Sequence, residues 1–284
     1  MSSNDSALTT QGMEQGYDTN SQIQMAAVEL SAPYIREAID ALEIESLPLV
    51  IIGDYGSSYG SNSMHAMQFI IQTLKKTKKL NENKQQILVV HNDLATNDWI
   101  SLFDILNKNS SYHGVASGRS FYKQCLPSNS LTIGYTSTAL HWLSQKPCNL
   151  SDQCLVHCSL NDNEINAFKH QAALDYAHFL EYRSRELVPG GVLILVILGD
   201  NGKANRDHGE LLYRCARVQT MAVRIALEYP LKQALINNEQ RSAEEIDKIL
   251  DQYWDLHEKG IQEQLDDVET DMMVINLVLK KIKK

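Results

Sequence analysis

An α/β fold, with a mostly parallel sheet covered by helices on both faces, is what this 284-residue chain predicts, and three observations predict it. Short runs rich in Val, Ile and Leu alternate with longer amphipathic stretches between Leu49 and Leu198, as strands buried on both faces and their crossover helices require. The first run, Leu49 to Ile52, breaks into a turn of small residues, Gly53 to Ser63, and then into a helical pattern. Hydrophobic residues make up 43% of the chain, enough to close a core without covalent staples.

The elements follow in order. Residues 1–20 are polar, with few anchors, and read as a flexible N-terminal segment. A helix is expected from Ser21 to Leu42, opening a core of residues 21–200. Strand and helix then alternate: strand Leu49–Gly53, helix Ser63–Thr77, strand Gln86–His91, helix Asp98–Asn107, strand Ser130–Tyr135 and helix Glu164–Leu187. Pro189, Gly190 and Gly191 turn the chain into a last core strand, Gly191–Leu198. Residues 201–267 begin as a charged loop and continue as mostly helical sequence, read as a cap. Residues 268–284 carry strand character from Asp271 to Ile282 and are expected to return to the sheet.

Charge and cysteine content exclude several classes. The formal net charge is −9 and the pI about 5.5, so the long-range field repels nucleic acid; the basic runs at 75–79 and 280–284 read as solvated element ends. Five cysteines, an odd number without paired C-x-x-C spacing, fit neither a disulfide framework nor a structural zinc site. The expectation is reduced thiols in a cytoplasmic protein. No basic-then-apolar leader and no run of ~18 apolar residues is present, so no membrane partner is expected.

The turn after the first strand reads as a nucleotide-like cofactor site. Gly56 and Gly60 let backbone approach a ligand closely, yet Gly53, Gly56 and Gly60 lack the G-x-G-x-x-G spacing that suits a pyrophosphate, and no G-x-x-x-x-G-K-[ST] follows. S-adenosylmethionine, which has no phosphate, suits such a turn better. Ser57, Ser58 and Ser137 lie in no G-x-S-x-G elbow, which argues against a serine hydrolase.

Five ordered motifs between residues 12 and 200 resemble those of the SABATH family of S-adenosylmethionine-dependent methyltransferases. They are Tyr17 with Asn20, Ser21 and Gln24; Asp54, Gly56, Ser58, Gly60, Asn62 and Ser63; Asn92, Asp93 and Leu94 with Asn97 and Asp98; Ser120, Phe121 and Tyr122; and His141 to Gln145. The resemblance implies a Rossmann-like class I methyltransferase sheet and S-adenosyl-L-methionine as cofactor. It assigns Asp93, with Leu94, to the ribose; the plainer reading of Asp93 is a helix cap. Asp54 holds the cofactor's amino-acid end directly or orders the loop around it, with Gly56, Ser58, Asn62 and Ser137 lining the same site. Ser120 and Phe121 resemble the pair that flanks adenine. The resemblance also implies that Tyr17 and Ser21 close over the cofactor from the N-terminal segment; without it they read as a helix entry, with Ser21 as a cap.

At the substrate end, the indole N–H of Trp142 and the amide of Gln24 can each donate to one oxygen of a carboxylate, the role that family carboxyl methyltransferases give to the matching residues. His141 assists, or is simply packed. The implied activity is methyl transfer to the carboxylate of a small organic acid, by alignment and without a catalytic base. An N-methyltransferase of a small heterocycle and a non-catalytic S-adenosylmethionine-binding protein are the alternatives. The chain departs from the family pattern at Thr136 to Ala139, where members carry an aromatic, at Tyr59, and in a shorter carboxyl-terminal half. No metal is expected, and a homodimer is expected by analogy with relatives.

Overall fold

The computed structural model describes residues 21–43, 48–80, 85–108, 112–151, 156, 159–199, 242, 244–252, 255 and 273–282. The chain divides into two compact units. One comprises Ile23–Gly199 and Val274–Lys284, with Met1–Gly12; the other comprises Met13–Gln22 and Asp200–Met273. In the second unit the described residues include a helical stretch at 244–252, whose Ile246 and Leu250 are buried. The remainder of the expected cap, and the N-terminal segment 1–20, lie outside the described residues.

The first unit is built on a six-stranded sheet of order β3-β2-β1-β4-β5-β6. In chain order its elements are α1 (Gln22–Leu30), α2 (Ala32–Ala41), β1 (Leu49–Tyr55), α3 (Ser61–Lys76), β2 (Gln86–Asn92), α4 (Trp99–Asn107), β3 (His113–Ser117), β4 (Leu131–Ser137), α5 (Asp162–Glu186), β5 (Leu187–Gly199) and β6 (Met273–Lys280). Strands β1 to β5 pair in parallel. The alternation of side chains along each strand splits the core in two. Val50, Ile52, Val89, Ile133, Val192 and Ile194 face α1, α2 and α3. Leu131, Leu193 and Leu195 face Phe179 of α5 together with Tyr55 and Tyr122. Helices therefore cover both faces, as parallel strands require.

Several boundaries differ from the sequence-based expectation. The helix expected over 21–42 is two helices, parted at Ser31, whose Oγ donates to the Val28 carbonyl at 2.6 Å. Pro33 then sits in the first turn of α2, where its missing N–H costs no hydrogen bond. Strands β1, β2 and β4 run on to Tyr55, Asn92 and Ser137, because the parallel ladder continues through polar residues that by themselves read as loop. β3 was not expected. It is a largely exposed edge of His, Gly, Val, Ala and Ser, and only its pairing with Leu88–Asn92 makes it a strand. β5 begins at Leu187, before the expected turn, and an irregularity in its register with β4 absorbs Pro189 and Gly190 (φ 85°). Helix α3 starts at Ser61 and α5 at Asp162, one turn or less before their expected starts. Asp98 caps α4 as an acceptor for the Ser101 amide.

Candidate active site

The carboxyl ends of β1, β2 and β4 converge, and the register decides what meets there. Asp54 pairs with His91, and Tyr55 with Asn92. Asp54 and His91 therefore point together toward α3. Asp54 is only 3% exposed and accepts a hydrogen bond from Ser63 Oγ in the first turn of α3. Ser63 Oγ lies 2.9 Å from His91 Nδ1, and His91 Nε2 lies 3.2 Å from the Tyr112 hydroxyl. This buried chain ties β1, β2 and α3 together. Asp54 thereby ties the start of α3 to the end of β1.

The turn beyond β1 is held by its neighbour strand. The Gly56 and Ser57 amides both donate to the Asn92 carbonyl, at 2.8 and 3.1 Å. Gly56 has φ 95°, and a Cβ there would lie 2.4 Å from that of Ala139 and 4.0 Å from the Phe121 ring, so only glycine fits. Ser58 takes φ 48°, a costly conformation for a non-glycine residue. Three bonds hold it there or nearby: its amide donates to Asp93 Oδ2 at 2.7 Å, the Leu94 amide donates to Asp93 Oδ1 at 2.7 Å, and Asn97 Nδ2 donates to the Ser58 carbonyl at 2.8 Å. A carboxylate offers about four acceptor sites, so the half-buried Asp93 keeps lone pairs for a ligand hydroxyl. Burial raises its pKa, and the two backbone donors pull the other way. Asn62 follows Ser61 in the first turn of α3 and is partly exposed.

Ser120 and Phe121 sit on a loop clamped from beneath. Asn92 Nδ2 donates to the Arg119 carbonyl at 2.7 Å. From α5, Arg183 donates to the Phe121 and Lys123 carbonyls at 3.0 and 2.8 Å. Its partner Glu186 accepts from the amides of Cys125 and Leu126 and from the Tyr55 hydroxyl. Both charged side chains are fully buried and meet at 2.9 Å, with the guanidinium 4.0 Å from the centre of the Tyr55 ring. Phe121 packs edge-on against Tyr122 and Phe179. Burial lifts the Cys125 thiol to about 11, so it stays protonated; Cys125 and Cys148 are free thiols.

The segment after β4 carries the expected acid-binding residues. His141 and Trp142 pack at a ring separation of 5.3 Å. Trp142 is pinned at both backbone ends: its amide donates to Ala139, and its carbonyl accepts from the Tyr122 hydroxyl at 2.7 Å. Two residues on, Ser144 donates through amide and hydroxyl to the buried Asp175 of α5, at 2.8 and 2.6 Å. His141 shows an open face, while desolvation by the surrounding protein lowers its pKa to about 4. The imidazole is neutral at neutral pH. Ser21 is buried just ahead of α1. Tyr17 lies outside the described residues.

The site also contains polar atoms left without partners. Among the described residues, Ser57 Oγ, Ser58 Oγ, Ser137 Oγ and Gln24 Oε1 are buried with no hydrogen-bond partner in the protein. Such groups cost roughly 1–3 kcal/mol each unless something satisfies them. Three of the four stand at the carboxyl ends of β1 and β4, beside the glycine cradle and Asp93. A ligand carrying hydroxyl, amine and carboxylate groups can satisfy that set, as S-adenosylmethionine can. Sequence reasoning missed Asp175, Arg183 and Glu186, and named Ser57 and Tyr122 without giving either a role in the site. The signal for the α5 residues was available: polar residues at 171, 175, 183 and 186 share a helix face with Phe179.

A parallel α/β sheet of this strand order, with a glycine turn at the carboxyl end of its first strand, has the Rossmann-like architecture. The loganic acid methyltransferase structure with S-adenosylhomocysteine has the same fold, at a TM-score of 0.77 and 22% identity over 97% of this chain and 99% of that one. The model of the S-adenosylmethionine-dependent carboxyl methyltransferases matches residues 6–245, and the chain belongs to that family, the SABATH family. A probable S-adenosylmethionine-dependent methyltransferase of Arabidopsis thaliana is 36% identical over 203 residues, 64% of this chain and 56% of the relative. The salicylate carboxymethyltransferase of Clarkia breweri is 29% identical over 238 residues, 80% of this chain and 65% of the relative. The chain thus spans little more than half the length of the first curated relatives it matches.

Proposed function

We propose that this protein methylates the carboxylate of a small organic acid with S-adenosylmethionine, giving the methyl ester and S-adenosylhomocysteine. The observation that carries the reading is the set of unpartnered buried hydroxyls beside Gly56 and Asp93, in a chain of this family. Bound there, the cofactor supplies an electrophilic sulfonium methyl. An acid with a pKa near ~4 is already ionised at neutral pH, so a carboxylate oxygen held by this chain would be ready to take up the methyl that the cofactor would supply. No base is required.

The chain's own task is alignment. Asp93 accepts from the ribose hydroxyls, Ser120 and Phe121 hold the adenine, and Ser58 and Ser137 meet the polar end. Trp142 and Gln24 each donate to one carboxylate oxygen, each such charge-assisted bond contributing roughly 1.5–3 kcal/mol. Near-attack positioning contributes on the order of 7–11 kcal/mol to the rate. Neutral His141 packs against the indole. In the same reading the enzyme is cytoplasmic, with reduced thiols, and a homodimer, which sedimentation equilibrium tests.

The decisive experiment is transfer of labelled methyl from S-adenosylmethionine to a panel of aromatic, indolic, terpenoid and fatty acids. A base-labile product that vanishes in Trp142→Ala is expected. A product stable to mild base would instead indicate methylation at nitrogen. Cofactor binding without any product would leave a binding protein.

A further inference from the structure

The segment bearing Trp142 consists of turns and bends between the end of β4 and a single bridge residue, Gln145. Its backbone is held by the Trp142 amide to the Ala139 carbonyl, the Trp142 carbonyl to the Tyr122 hydroxyl, and the Ser144 amide to Asp175. Only the second reaches the carbonyl of the residue whose indole must be aimed. The Tyr122 hydroxyl also lies 3.4 Å from the Leu140 carbonyl, so one buried group spans both sides of His141. Tyr122 itself cannot drift. The preceding carbonyl, that of Phe121, is held by Arg183, and the carbonyl and amides that follow, at Lys123, Cys125 and Leu126, are held by Arg183 and Glu186.

We propose that Tyr122 is a positioning residue for the acid: its hydroxyl, rigidly mounted on the α5 clamp, fixes the backbone of Trp142 and so the direction of the indole N–H. This rests on the carboxylate reading of Trp142. The arrangement separates two tasks on adjacent residues. Phe121 and its loop are held through backbone groups that do not involve the Tyr122 hydroxyl, so cofactor binding does not depend on it. Acid recognition does. A hydrogen bond from Trp142 to a carboxylate depends on N–H direction, whereas packing of the acid's apolar body does not. Losing the hydroxyl therefore weakens a carboxylate more than its neutral, isosteric amide.

The test is Tyr122→Phe in the full chain, with salicylate and salicylamide as probes and S-adenosylhomocysteine at saturation. The indole resonances of the three tryptophans, Trp99, Trp142 and Trp254, are followed with 15N label, Trp142 being assigned through Trp142→Phe. The expected result is a shifted or broadened Trp142 indole signal in the free variant and an S-adenosylhomocysteine Kd within twofold of wild type. Salicylate should bind roughly five- to tenfold more weakly, with salicylamide nearly unaffected. For an acid that turns over, KM rises while kcat falls less. An unmoved Trp142 indole overturns the proposal, and so does equal weakening of both probes. If wild-type protein does not bind salicylate and no acid of the panel is methylated, the carboxylate reading fails. The indole signal in the free variant then still decides the positioning claim.

Discussion

Helices α3 and α5 cover opposite faces of one sheet by different means. α3 buries Met64, Ala66, Met67, Ile70, Ile71 and Leu74, an apolar stripe that gains roughly 1.5–3 kcal/mol for each large side chain. α5, with 25 residues, buries Glu164, Gln171, Asp175, Arg183 and Glu186 and only one aromatic, Phe179. A buried ion pair is weak evidence for stability, since desolvation offsets most of the attraction. What α5 gains is direction, because its polar groups end on the backbone of the Phe121 loop and of the Trp142 segment. α3 makes the fold stable, and α5 makes the site specific in shape.

If that division is right, substitutions in the two helices should separate stability from binding. The largest effect belongs to Glu186→Ala, which strands the buried Arg183 and frees two loop amides. It should cost about 3–5 kcal/mol in urea unfolding, whereas the double change Arg183→Leu with Glu186→Leu costs less stability yet still weakens S-adenosylhomocysteine binding. Ile70→Ala in α3 should cost about 2–5 kcal/mol and leave that binding within twofold. An equal loss of binding in the Ile70 variant would break the comparison.

Gly56→Ala, at φ 95° and against Ala139, should cost roughly 1–3 kcal/mol and weaken the cofactor more than it weakens the fold. Acid titration sharpens the contrast further. Asp93 has a raised pKa through burial, so it costs stability at neutral pH, and that cost fades as pH falls through its folded value. Binding of S-adenosylhomocysteine needs its carboxylate ionised and should weaken with acid earlier than an ordinary aspartate would cause; Asp93→Asn removes that dependence. Asp98 behaves oppositely. The hydroxyl and amide of Ser101 hold its pKa down, so its contribution is present above the unfolded pKa and lost as pH falls through the folded one. Asp98→Ala should cost about 1 kcal/mol and leave binding unchanged.

The parallel sheet was legible in the sequence because buried strands such as Leu49–Ile52 and Val192–Val196 are continuous apolar runs. Their polar ends were not, and β3 was invisible, since nothing local distinguishes His113–Ser117 from loop; the pairing that creates it is nonlocal. Gly56, Asp93 and Phe121 were legible in the sequence as candidate site residues. What supports those residues was not, because Arg183 and Glu186 look like ordinary helix charges until the loop they clamp is folded against them. The break at Ser31 is marked in sequence only by Pro33, which a helix tolerates in its first turn.

The hydrogen-bonded chain through His91 has a further consequence. Ser63 directs its proton to Asp54, so it can only accept from the imidazole, which must carry a hydrogen on Nδ1. The ring is fully buried and cannot turn over without breaking its contacts with Ser63 and Tyr112. That Nδ1 hydrogen should exchange with solvent only when β1 and β2 part, which makes it an intrinsic clock for opening of the sheet at the cofactor turn, readable without any label beyond 15N.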